Sequence, residues 1–83
     1  MSKQEKALRH LLSKPTDFTW PELLSIMTSL HVPVESGSGS GRRFLSQVKG
    51  KPFHIHQPHP SNILKTYQVL GAIQFLKDEG FLP

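Results

Sequence analysis

The sequence predicts an α+β fold in which a three-stranded antiparallel sheet carries helices on one face, in the order α-α-β-β-β-α. Three observations predict it. Apolar residues recur at helical spacing near both ends of the chain, whereas Phe53-His54-Ile55-His56 alternates as a strand does. The extended stretches in the middle are joined by short connections, which favours an antiparallel meander over crossovers. Finally, 83 residues leave room for one modest core. The helices must then share one face of the sheet, and the other face is free to meet a ligand.

The first helix is expected from Lys3 to Ser13, with Ala7, Leu8, Leu11 and Leu12 on one side, Ser2 available as N-cap and Pro15 ending it. Thr19-Trp20-Pro21-Glu22 starts the second. Thr19 can cap, Glu22 stands at the capping-box position, and Pro21 is tolerated in the first turn. Its stripe of Trp20, Leu23, Leu24, Ile26, Met27 and Leu30 reads as core packing, and the helix should end near His31, before Pro33. Val32-Pro33-Val34-Glu35 is an edge strand, because Pro33 cannot pair on both sides of a sheet.

The low-complexity stretch from Ser36 to Gly41 reads as a mobile hairpin connection whose small residues could also offer backbone N–H groups to a phosphate. Arg42 to Val48 is the second strand, Lys49-Gly50-Lys51 a tight turn, and Pro52 to Gln57 the third strand. The last helix runs from about Thr66 to Glu79, with Tyr67, Leu70, Ile73 and Leu76 along one face and Val69, Ala72 and Phe75 widening it. Gly80 suits the left-handed position past its end, and Phe81 can fold back on Leu76. The core is expected from Leu23, Leu24, Met27, Leu70, Ile73 and Leu76 against Phe44, Phe53 and Ile55.

Composition narrows the function. The chain has no cysteine, so neither a disulfide frame nor a thiolate metal site is available, in keeping with a reducing compartment. Its apolar runs fall far short of the ~20 residues of a membrane span. Its first residues lead into no long apolar segment, so no signal peptide is expected. The chain reads as soluble and cytoplasmic, without a membrane partner.

The net charge of +4 is unevenly placed. Residues 32–65 hold Arg42, Arg43, Lys49, Lys51 and Lys65 against Glu35 alone, and the segments on either side nearly balance. Such a focused positive field suits a polyanion, the alternative being a solvated basic face. The same third holds His54, His56 and His59, the last boxed between Pro58 and Pro60.

Metal-free RNA cleavage needs a base for the 2′-hydroxyl proton, an acid for the leaving oxygen and cations for the phosphorane charge. Histidine suits the first two tasks and arginine the third. His56 and His59 are therefore the catalytic candidates, and Arg42, Arg43, Lys49, Lys51 and Lys65 the nucleic-acid-binding ones; surface histidines on a polar sheet face are the alternative. His54 and His56 share a strand face about 6–7 Å apart, a spacing open to zinc. No carboxylate or thiolate lies nearby to complete such a site, so no metal is expected. His10 and His31 look structural or solvated.

Gly39-Ser40-Gly41-Arg42-Arg43-Phe44, Gln57-Pro58-His59-Pro60, and Leu64-Lys65 before a helix ending in Gly80-Phe81-Leu82 together resemble the HicA-like toxin family of bacterial toxin–antitoxin systems. The first two pieces resemble the family's Gly-Ser-His-x-x-Phe and Pro-x-His elements, and the order and spacing of all three are similar to the family's. The resemblance covers Trp20 to Leu82, so the single domain would comprise a core at 19–82 and an added N-terminal helix within 1–14. It implies a double-stranded-RNA-binding-domain-like fold (dsRBD-like) and a ribonuclease acting on mRNA. It also implies translation inhibition, no cofactor, and neutralisation by a HicB-like protein antitoxin. Gly41 stands where the family carries its catalytic histidine. Either the chemistry lies with His56 or His59, or the protein is a non-catalytic RNA-binding or protein-interaction module on the same fold.

Overall fold

A computed structural model describes residues 3–83. It contains α1 (Lys3–Leu12), α2 (Trp20–Ser29), β1 (Val34–Ser36), β2 (Gly41–Phe44), β3 (Phe53–His56) and α3 (Thr66–Asp78). The strands form one antiparallel sheet in the order β1-β2-β3. The α+β architecture and the element order are those the sequence predicts. The expected cap Ser2 lies outside the described residues.

Local chemistry explains where the helices begin and end. Thr19 Oγ1 accepts from Glu22 N at 3.4 Å while Glu22 Oε1 accepts from Thr19 N at 3.1 Å, which closes the capping box at the head of α2. α2 ends in a Schellman arrangement: Val32 N donates to Met27 O and His31 N to Thr28 O, with His31 at φ 59°. α3 ends the same way, with Phe81 N donating to Leu76 O, Gly80 N to Lys77 O, and Gly80 at φ 84°. Glycine takes that conformation without the Cβ penalty that His31 meets.

The strands are shorter than the alternation suggests. β2 stops at Phe44 rather than Val48 because the chain beyond it turns toward α3. Glu79, buried just past that helix, accepts from Ser46 Oγ at 2.5 Å and from Gln47 N at 2.6 Å. Ser46 Oγ in turn accepts from Gly50 N at 2.8 Å. These bonds take up polar groups that a longer ladder would need. β1 begins at Val34, two residues later than expected, since Val32 is buried in the helix ending.

The ladder pairs Phe44 with Phe53 and Arg42 with Ile55, so Phe44, Phe53 and Ile55 share the helix-covered face. Glu35, Arg43 and His54 align on the other face, as do Gly41 and His56. Phe44 and Ile55 are buried with Leu23, Ile26 and Met27 of α2 and Val69, Ala72, Ile73, Phe75 and Leu76 of α3. A run of ring contacts, Trp20–Phe44–Phe53–Phe75, links α2 to α3 through the sheet. At Gly71 a Cβ would come within 3.0 Å of the Phe53 ring, so α3 sits close to β3 at that point.

α1 places Ala7 and Leu11 in the same core, which makes it part of the domain's interior. The expected core needs one correction: Leu70 is 45% exposed, and Tyr67, expected on the same helix face, is 68% exposed. Among the described residues, no helix is long and apolar enough to cross a membrane.

Candidate active site

The segment after β3 is fixed at both ends. At its start, Gln57 N donates to Ser40 O at 2.8 Å, extending the β2–β3 ladder by one bond. At its finish, Trp20 N donates to Asn62 O and Leu64 N to Phe18 O, a short bridge that buries Phe18 and Leu64 beside the head of α2. Pro58, His59 and Pro60 arch between these anchors, and the His59–Pro60 peptide is cis.

The side chain that joins this arch to α3 is Gln68. It is buried, and its amide works in both directions: Oε1 accepts from Lys65 N at 2.9 Å, and Nε2 donates to His56 O at 3.0 Å. One residue thus fixes the head of α3 against the end of β3. Both polar ends are satisfied, as burial requires.

A recess of about 310 Å³ opens between the arch, the hairpin connection and the first turn of α3. His56, His59 and Lys65 line it, together with Ser40, Tyr67 and Gln68. Ser40 Oγ lies 3.3 Å from His56 Nδ1, a contact that orients the ring. Two catalytic candidates and one cationic candidate therefore meet in one hollow. Histidines on the lining of one recess can exchange protons at a phosphodiester bound there, and a lysine on that lining can offset its charge.

The remaining basic candidates are dispersed. Arg42 leaves the sheet on the side of Ile55, and its Nη1 folds back to donate to Gly39 O at 3.0 Å and Gly41 O at 2.8 Å. There it lines an adjoining hollow with Ser40, Gln57 and His59. Arg43 lies on the opposite face, where its Nε donates to Glu35 Oε1 at 3.0 Å and its Nη2 pairs with the same oxygen. It faces His54 across the ladder. Lys49 and Lys51 are exposed on the β2–β3 connection, at the far end of both strands from His56, and do not reach the recess.

Three lining residues escaped the sequence reading. Ser40 was read for the backbone of its hairpin connection and for the family resemblance, with no role for its side chain, and Gln68 has no periodic signal, though a glutamine three residues after a helix cap is a box-like pattern. Tyr67 was read only as part of the apolar face of the last helix. Among the described residues no three histidine or acidic side chains converge on a point that could hold a metal ion. Outside the recess, His31 is exposed past α2, while His10 is bound to Asp17 and Glu22.

Comparison with known proteins finds no family that matches the chain, and no similar curated protein or solved structure.

Proposed function

We propose that this protein is a HicA-like toxin: a metal-independent endoribonuclease that acts on mRNA in the cytoplasm and is neutralised by a HicB-like antitoxin. The observation that carries the reading is the register of β2 and β3. Gly41, at the position where the resembled family has its catalytic histidine, is the direct cross-strand partner of His56. On an antiparallel ladder, opposed residues project side by side from the same face. In this reading His56 of β3 stands in for the imidazole missing from β2, and it lines the same recess as His59 and Lys65.

In this mechanism one histidine takes the 2′-hydroxyl proton as the 2′-oxygen attacks phosphorus. The other protonates the departing 5′-oxygen, leaving a 2′,3′-cyclic phosphate and a free 5′-hydroxyl. Lys65 and Arg42 balance the charge that develops on the phosphorane. His59, presented by the arch between two prolines, has little conformational freedom to lose.

The test is cleavage of a long RNA by purified protein, with and without a metal chelator. His59→Ala should lower the rate by about 10²–10⁴, the contribution of a positioned general acid or base. It should also abolish growth arrest on expression while preserving the fold and antitoxin binding. His56→Ala should weaken activity less, and the chelator should change nothing. Equal cleavage by wild type and His59→Ala would remove His59 from the mechanism. The side-chain-free Gly41 favours a second reading, a binding module that does not cut. Folded wild type that binds RNA without cleaving it would establish that reading instead.

A further inference from the structure

We propose that Tyr67 is a stacking platform for an unpaired RNA base next to the scissile phosphate, so that the recess takes single-stranded RNA in preference to duplex. The proposal rests on the ribonuclease reading above and names its substrate class. Tyr67 is the chain's only tyrosine and stands in the first turn of α3, 68% exposed. An isolated exposed aromatic needs no explanation by itself. This one lines the same recess as His56, His59 and Lys65.

The surroundings of the ring suit a base face. Pro58, Pro60 and Ile63, the last 43% exposed, give the recess apolar walls. Of the two amides on its lining, that of Gln68 is committed at both ends to Lys65 N and His56 O, which leaves Gln57. The hollow thus sets an exposed phenol ring among apolar walls, with Lys65 on the same lining. That is the composition of a sequence-tolerant stacking site, in which an aromatic ring takes the π-face every base possesses and a cation holds the phosphate beside it. Bases within an A-form duplex are stacked on one another and cannot offer that face, whereas those of a single strand can.

The test separates binding from chemistry by using a 2′-O-methyl oligoribonucleotide of mixed sequence, which has no 2′-hydroxyl to attack. Its affinity is measured by fluorescence anisotropy for wild type, Tyr67→Phe and Tyr67→Ala, alongside the same strand in a duplex and a strand abasic at its central positions. Tyr67→Ala should bind the single strand about tenfold more weakly, the effect expected for one lost stack. Tyr67→Phe should stay within about twofold. The abasic strand should erase the difference between wild type and Tyr67→Ala, and duplex affinity should be lower and indifferent to the substitution.

Equal single-strand binding by wild type and Tyr67→Ala overturns the proposal, as does tighter binding of duplex, or no binding by folded wild type. If Tyr67→Ala keeps its RNA affinity but escapes neutralisation by a co-expressed antitoxin, the ring belongs to a protein interface and the proposal fails. Parallel cleavage of unmodified RNA keeps the two readings apart. Stacking without cleavage by wild type sinks the ribonuclease and leaves the platform; cleavage that needs His59 but not Tyr67 does the reverse.

Discussion

His10 is a residue at which pH acts directly on the fold. From the last turn of α1 its Nδ1 meets Glu22 Oε2 at 2.7 Å and its Nε2 meets Asp17 Oδ1 at 2.8 Å, with the Phe18 ring packed against it. Only the imidazolium can donate to both carboxylates at once. Hydrogen bonding to Glu22, then to Asp17, raises its pKa above the ordinary 6.5 against a smaller opposing effect of burial. For Glu22, burial pushes the carboxyl up, but hydrogen bonds from His10 and Thr19 together outweigh it and bring the pKa below 4.5. By linkage, the His10 contribution is complete below pH 6.5 and is lost as pH rises through the raised value. The Glu22 contribution is complete above pH 4.5 and is lost as pH falls through the lowered one. The cluster therefore stabilises the α1–α2 packing most between about pH 4.5 and 6.5. Thermal unfolding should show Tm falling from pH 6.5 to 8.5, and His10→Gln should flatten that decline. An unchanged slope in the variant would show that another group sets the pH dependence. The sequence marked His10 only as structural or solvated; its partners lie beyond a proline and a turn, where no local pattern could indicate them.

At the scale of elements, the helix starts and stops were legible because capping is local chemistry. Thr19 with Glu22, and Gly80 with Phe81, act within a few residues. The buried face of α3 was not legible in the same way. Residues 67–76 contain two overlapping apolar stripes, one through Tyr67 and Leu70 and one through Val69, Ala72, Phe75 and Leu76, and helical spacing fits both. The sheet decides between them. Gly71 lets α3 approach Phe53, whose ring is held between Phe44 and Phe75, and that contact turns the second stripe inward. The strand ends were equally hidden, because Glu79, more than thirty residues away, captures Ser46 and Gln47. A paired truncation measures this choice of face. Ile73→Ala should cost about 2–5 kcal/mol, as buried aliphatic truncations do. Leu70→Ala should stay within about 0.5 kcal/mol. Denaturant unfolding of both variants is the check, and similar losses would mean that both stripes are buried in solution.

Across the whole molecule, the excess positive charge that the sequence concentrates in residues 32–65 is divided into unequal parts. Lys65 and Arg42 stand at the hollows lined by His59, while Arg43 is paired with Glu35 on the open sheet face. Lys49 and Lys51 occupy the far end of the strands. The sequence located the basic third and its histidines together. It could not tell which cations would be neutralised or remote, because that follows from strand register and from where β2 ends. If RNA follows the recess, these groups should differ in their contribution to salt dependence. Each phosphate contact releases counterions and contributes roughly 0.7 to the slope of log K against log salt for a single strand. Lys65→Ala and Arg42→Ala should each lower the slope by about that amount. Arg43→Ala should lower it less, since Glu35 already offsets its charge, and the Lys49→Ala and Lys51→Ala variants should leave it unchanged. Affinity titrations of a short single strand between low and physiological salt provide the measurement. Equal losses from Arg43, Lys49 and Lys65 variants would place the RNA across the sheet face, along the strands, and take the recess out of its path.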